Sequence, residues 1–494
     1  MQISWSQLYD LVHSMSGSEK GHFKKSVSGY SQKEHGYVML FNILAGMKVF
    51  EEKLFEKKMY GKVKSIYSTR RFLYEQLIRS LRVYHAEDSI AFQLRQLLDE
   101  VAILKERKLN EFSNELISKG LKLAEKHDQY SYKMMLLVEK RQMLKFENEQ
   151  VRKQQTEIVT GEIIATAGVI VQIEMIKKSH EQTLEWINRN IPLRDDLIRK
   201  KAENLLTSLL EIDLSAFTNF NSLNFLFASI SNIYFLFNDL DNAILYQQRS
   251  VKLLETIDLK KIKRQIGYAS AVYNLCNLYV NNKNEKGVAI CIKKLRDIQT
   301  LDEAEIEYID NLIHYAEIAE MKAGKNVSKK ELHKIQEFLK LPKVIPALFS
   351  DAQFTLLSYN IYINDWGNAL QHINFLLSNE NTHAQISIHI HSRLLQILVH
   401  YKLGNMLLLP SLIRHTYRFM LKHELSYKIE GYLLQFFQKV LSSVSNKELI
   451  NLLEDLLQKI RNTSSDMQER RVLDYYFNYE VFLEKELGGI KKIV

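Results

Sequence analysis

The chain has 494 residues, 46% of them hydrophobic and 25% charged, and carries a formal net charge of +9. This length exceeds one ordinary domain and this composition excludes intrinsic disorder, so the chain is expected to fold throughout, as several domains or as an elongated repeat array. Two cysteines, Cys276 and Cys291, exclude a disulfide framework and match no metal-ligand spacing, and both read as buried thiols.

The amino terminus, Met1-Gln-Ile-Ser-Trp-Ser-Gln-Leu-Tyr9, lacks a basic region followed by an apolar core and a small-residue cleavage site, so no secretion signal is expected. Leu8, Leu11, Val12 and Met15 follow helical spacing, and Ser16-Gly-Ser-Glu19 predicts a capping box that starts the next helix. Between 53 and 82 the sequence turns basic: nine Lys and Arg stand against Glu56 and Glu75, with Tyr60, Tyr67, Phe72 and Tyr74 interleaved. Lys57, Lys58, Lys62, Lys64, Arg70, Arg71, Arg79 and Arg82 are therefore candidate phosphate contacts. The order helix, turn at Gly61, second helix capped by Ser68 or Thr69 is compatible with a helix-turn-helix.

A boundary is expected near residue 105, giving an N-terminal helical domain over 1–105 and a repeat array over 106–494. Residues 130 to 190 show two long helical patterns with Gly161 and Gly168 as weak points. Their apolar stretch Ile163 to Ile173 is shorter than the ~18 residues a membrane span requires. No membrane partner and a cytoplasmic location are expected. From about 220, turn signals separate periodic runs at Asn238–Asn242, Asn281–Glu285, Asn364–Gly367 and Gly404–Asn405, which predicts helical hairpins. Ile450, Leu453, Leu456 and Leu457 continue the helical period, and Gly488 and Gly489 predict a helix end. Only four prolines occur, Pro192, Pro342, Pro346 and Pro410, a scarcity that favours long helices and short turns.

In Phe227–Tyr234 and Asp241–Ser250, the small residues Ser231, Ala243 and Ser250 stand where two antiparallel helices approach closely, and Phe227, Ile230 and Tyr234 stand where the pair requires bulk. On these residues the chain resembles the tetratricopeptide repeat (TPR) family. A weaker unit places Leu275, Cys276 and Tyr279 before Val288, Ile292 and Leu295, departing from the small-residue pattern in its second helix, and a third centres on Asp365–Ala369. Ser18–Lys25, Tyr74–Arg82 and Arg393–Gly404 are also similar to uncharacterised helical-repeat proteins of Bacteroidota-type bacteria. The resemblance implies an all-α fold: a right-handed superhelical array of antiparallel helix pairs, a TPR-like α-solenoid, behind an N-terminal helical domain.

Aligning the first two units places Asn232 and Asn277 at equivalent positions that, by the resemblance, face the concave surface, with Tyr273 and Phe235 on the same lining. An asparagine amide both donates and accepts, so such a pair can hold an extended peptide backbone. His389 and His391 stand two apart, about 200° around a helix, and cannot share a metal ion from one face. Glu303, Glu305 and Glu307 read as solvated. No HExxH, paired CxxC, GxSxG, P-loop or Rossmann pattern occurs. A non-catalytic scaffold that binds a protein or peptide, without cofactor or metal, is expected. The alternative is a nucleic-acid-binding or transcriptional regulator whose basic N-terminal helices touch DNA or RNA.

Overall fold

The computed structural model describes residues 3–28, 36–52, 55, 57, 66–87, 89–146, 148–189, 193, 195–214, 220–256, 265–321, 328–340, 345–378, 386–423, 428–441, 445–463 and 465–490. Among these residues the protein is all-helical, with 23 α-helices and no strand. The chain divides into two compact units, Met1–Val171 and Gln172–Val494.

The first unit holds α1 (Trp5–Ser14), α2 (Gly17–Ser28), α3 (Gly36–Ala45), α4 (Ile66–Tyr84), α5 (Ile90–Glu106), α6 (Asn110–Lys126) and α7 (Tyr130–Met143). The predicted capping box is present: the Ser16 amide donates to Glu19 Oε2 at 2.6 Å and the Glu19 amide to Ser16 Oγ at 3.2 Å. The Ser16 amide and His85 together hold the Glu19 carboxyl below its usual range. Leu8, Val12, Phe23, Phe41, Leu44, Leu73 and Leu77 form one core. Leu94, Leu97, Ala124 and Leu136 form another between α5, α6 and α7. Residue 105 lies in the last turn of α5.

One sequence expectation is corrected here, and the two long helices expected over 130 to 190 are α7 and the helix that follows it. Ser68 and Thr69 lie inside the second basic helix, α4, rather than capping it, and Gly61 lies outside the described residues. α8 (Glu149–Arg189) runs without a break through Gly161 and Gly168, because its flanking residues supply enough propensity to carry two exposed glycines at about 1 kcal/mol each. Its apolar stretch is also longer than a count of consecutive apolar residues shows. The best 18-residue window has a mean hydropathy of 1.6 and is 17% buried, so by length and composition alone this helix could cross a membrane.

The second unit continues with α9 (Asp196–Leu210), α10 (Phe220–Leu236), α11 (Leu240–Glu255), α12 (Ile266–Asn281), α13 (Glu285–Arg296), α14 (Glu303–Ala319), α15 (Lys329–Phe338), α16 (Pro346–Tyr362), α17 (Trp366–Ser378), α18 (Ile386–Lys402), α19 (Leu409–Lys422), α20 (Lys428–Val440), α21 (Asn446–Thr463), α22 (Met467–Tyr475) and α23 (Tyr479–Ile490). Most successive helices pack as neighbours, and α21 packs on α23. α12, α14, α16, α18 and α20 also touch one another in turn, which makes one row of helices backed by the intervening ones. No helix in such an arrangement buries its apolar face alone, which is the physical meaning of a helical repeat.

The corners are alike for a local reason. Lys108, Asp128, Asn238, Lys283, Asn364 and Gly404 have φ between 52° and 73°, the left-handed region. At each, the amide of the next residue reaches back to the carbonyl five residues earlier, at 2.8–3.0 Å, from Leu109 to Leu104 in the first corner and from Asn405 to His400 in the last. This closes the outgoing carbonyls of one helix. Asp239, Asn284 and Asp365 then cap the following helix, accepting from the amides of Asn242, Gly287 and Asn368 at 2.9–3.2 Å. One residue ends a helix and the next begins another, so the hairpins are tight. All four turn signals read from the sequence fall on such corners.

Within the first hairpin, Ser231 Oγ donates to the Ala243 carbonyl at 2.7 Å, across the seam that the small residues predicted. In the next hairpin the small residue is Gly287, which lies beneath the Tyr279 ring. Cys276 and Cys291 are both buried, as expected, and their mutual hydrogen bond and burial push the Cys276 thiol up. Glu305 departs from its expected solvated role. It is buried and accepts from the Gln265 amide, just before α12, at 3.1 Å and from Thr300 Oγ1 at 2.7 Å. Gly488 and Gly489 lie in the last described turn of α23, in line with the expected helix end.

In the third hairpin Asn360 takes the place that Tyr234 and Tyr279 hold five residues before the cap, and it is fully buried with neither side-chain polar atom hydrogen-bonded among the described residues. Asn360→Leu is expected to stabilise the protein by about 1–2 kcal/mol, because an unsatisfied buried amide costs about that much. Chemical denaturation of wild type and variant side by side checks this.

Candidate functional site

Three residues of one α12 face, Asn274, Asn277 and Asn281, recur at helical spacing and point the same way. They line a cavity of about 300 Å³ within the second unit. Asn188 at the end of α8, Asn232 on α10 and Gln247 on α11 complete an amide-rich wall, and Phe235, Tyr273 and Tyr475 supply aromatic surface. The four residues proposed from the sequence, Asn232, Asn277, Tyr273 and Phe235, thus share one cavity. Asn232 and Asn277 each stand six residues before a left-handed corner residue, Asn238 and Lys283, so the hairpin geometry carries both side chains to the same side.

The lining is partly pre-ordered. Asn232 Nδ2 donates to Thr183 Oγ1 at 3.2 Å, and Asn281 Nδ2 donates to the Asn277 carbonyl at 2.7 Å. Gln247 Nε2 donates to the Ala271 carbonyl at 2.9 Å, tying the first hairpin to the next. Tyr273 is buried, and burial pushes its phenol up so that it stays protonated, with Asn277 as hydrogen-bond partner. Such a wall offers neutral donors and acceptors and no charge other than Asp351. It can match the polar groups of a peptide backbone, and it holds no nucleophile–base pair.

Sequence reasoning missed the residue that closes the cavity. Tyr475 sits at the end of α22, and its ring centroid lies 6.2 Å from that of Phe235. Beside it Arg471 is 2% exposed, donates from Nη1 to the Leu236 carbonyl at 2.7 Å, and places its guanidinium 4.5 Å from the Phe235 centroid. Burial lowers the Arg471 pKa to about 10. The two partners of that bond are 235 residues apart, and no local pattern announces it. Asn274 and Asn281 were legible, since they share the helical face of Asn277.

The basic candidates are only partly gathered. Lys58, Lys62 and Lys64 lie outside the described residues, and Lys57 is exposed. On α4, Arg71, Arg79 and Arg82 fall within a sector of about 80° at 100° per residue, but Glu75 lies among them and pairs with Arg71 at 2.9 Å. Arg70 lies on another side, 4.9 Å over the Trp5 ring. Arg79 alone of the group lines the concavity of about 890 Å³ between α2, α3 and α4.

His389 and His391 are both buried on α18 and face different neighbours, His389 towards Phe419 and His391 stacked on Tyr476 at 4.5 Å. Among the described residues no cluster of His, Cys, Asp or Glu could hold a metal ion. His372 has a clearer electrostatic signature. Burial lowers its pKa to about 4, and its Nδ1 lies 2.6 Å from Gln353 Oε1. A neutral histidine in the folded state takes up its proton on unfolding, so this contribution to stability is present above the unfolded pKa near 6.5 and is lost as pH falls towards 4. His180, lowered by burial as well, acts in the same direction. Unfolding midpoints in urea are expected to fall between pH 6.5 and 4, and His372→Gln to flatten that fall; an unchanged pH profile in the variant would refute the assignment.

No family model matches the chain, and neither a curated protein nor a solved structure matches it.

Proposed function

We propose that this protein is a non-catalytic scaffold that binds a protein or peptide segment along the inner face of a right-handed, TPR-like superhelical array. The observation that carries this reading is the convergence of five asparagines and Gln247 from α8, α10, α11 and α12 on one cavity. Amides satisfy an extended backbone whatever its side chains, and affinity then accumulates from many modest contacts. The basic helix supports nucleic-acid binding less well, since Glu75 interrupts its arginine sector and Arg70 packs on Trp5.

Selection of a displayed library of random linear peptides tests the reading. Wild type is expected to enrich specific sequences, and Asn232→Ala with Asn277→Ala to bind them about ten-fold or more weakly, given roughly 0.5–1.5 kcal/mol for each hydrogen bond lost. Equal affinity in a folded double variant would remove these residues from the site, and the absence of any enriched peptide would remove the function.

A further inference from the structure

We infer that α22 is an internal occupant of the trough, held where a partner's segment binds, and that the partner displacing it carries an arginine followed by aromatic residues four and five positions later. This rests on the peptide-binding reading above. The segment Met467–Tyr475 is polar in composition, yet Gln468, Glu469 and Arg471 are all buried. It is held by specific polar bonds as well as by bulk. Gln468 Oε1 accepts from the Leu193 amide at 2.8 Å, and Arg471 donates to the Leu236 carbonyl at 2.7 Å. Arg471 Nη2 has no hydrogen-bond partner among the described residues, and no carboxylate among them forms an ion pair with the guanidinium, whereas the neighbouring Arg470 pairs with Asp474 and Glu480.

A position that is always core gains from an apolar residue of similar size, so we read this incompletely satisfied cation, buried together with Gln468 and Glu469, as belonging to a segment that also exists in water. The aromatic end follows the same logic: Tyr475 caps the asparagine-lined cavity and Tyr476 stacks on His391. The next residue, Phe477, stacks on Tyr362 at 4.9 Å and 16° and anchors α23. Only nine residues long, α22 can therefore swing out between the end of α21 and this anchor while its neighbours stay folded.

The test uses the full chain. In hydrogen exchange on wild type, amides of 467–476 are expected to exchange at least about ten-fold faster than those of α18 and α20, because opening is local. Equal protection would overturn the proposal without need of a variant. A labelled synthetic peptide of sequence 467–478 is expected to bind Arg471→Ala/Tyr475→Ala protein at least about ten-fold more tightly than wild type, and the same peptide with both alanines to bind neither. Binding of both peptides alike, or of the first to neither protein, would overturn it, as would a concentration-dependent dimer that exchanges α22 between copies. Library peptides selected on the double variant should carry the arginine–aromatic spacing. If library selection fails on both proteins and the α22 peptide binds neither, both readings fall; if selection succeeds equally on wild type and variant, the internal occupant falls alone.

Discussion

Phe477→Ala is expected to lower the stability of the second unit by about 3–5 kcal/mol, the cost of deleting a fully buried aromatic ring. The ring is 1% exposed and stacks on Tyr362, with Tyr479 and Phe482 at 4.9 and 5.8 Å. Removing it leaves a cavity that these rigid rings cannot collapse to fill. It also loosens the point where the chain leaves α22 for α23, next to the Tyr362 hydroxyl that accepts from the Asn478 amide at 3.2 Å. Urea denaturation followed by circular dichroism measures the loss. A change below about 1 kcal/mol would mean that the cluster repacks and is no anchor.

Gly287→Ala is expected to cost about 1–2 kcal/mol, the balance of two opposed effects. A Cβ there would meet Tyr279 Cγ at 2.6 Å and both Cδ atoms at 2.7 Å, closer than real contacts, and these atoms are the base of the ring rather than the tip of a flexible side chain, so a shift also strains the bond from Gln248 Nε2 to its hydroxyl at 2.7 Å. Overpacking of this kind costs about 1–3 kcal/mol, against a gain of up to about 1 from replacing glycine in a helix. Gly120→Ala is the control: its Cβ would meet Leu136 Cδ1 at 2.9 Å, the tip of a flexible side chain, so a far smaller loss is expected. Adding Tyr279→Leu to Gly287→Ala should recover part of the stability, a coupling that a double-mutant cycle reads directly. Simple additivity of the two changes would remove the steric explanation.

The hairpin seams also mark what was legible. The first hairpin could be aligned because its small residues are literal: Ser231 and Ala243 touch across the seam. The hairpin of α12 and α13 departs from that pattern because its small residue is one position earlier, at Gly287, under a tyrosine, and packing alone shows which ring requires the space. Ser68 and Thr69 resembled a cap, yet both lie inside α4, since a capping side chain is one local preference among several. Glu305 read as solvated because nothing adjacent to it in sequence reveals that the amide of Gln265, 40 residues earlier, donates to it.

Propensity, turn chemistry and helical period act over fewer than about ten residues, and this short reach is why the helical class and the four hairpin corners in the latter part of the chain could be read from residue order, whereas the shared side of Asn232 and Asn277 was an expectation from aligning two hairpins on the resemblance. The return of α22 to those asparagines, with Tyr475 against the cavity and Arg471 buried on Phe235, emerges only when the chain is packed. That contact joins residues 235 apart through a backbone carbonyl. A carbonyl is the same at every position, so no residue pattern could announce it.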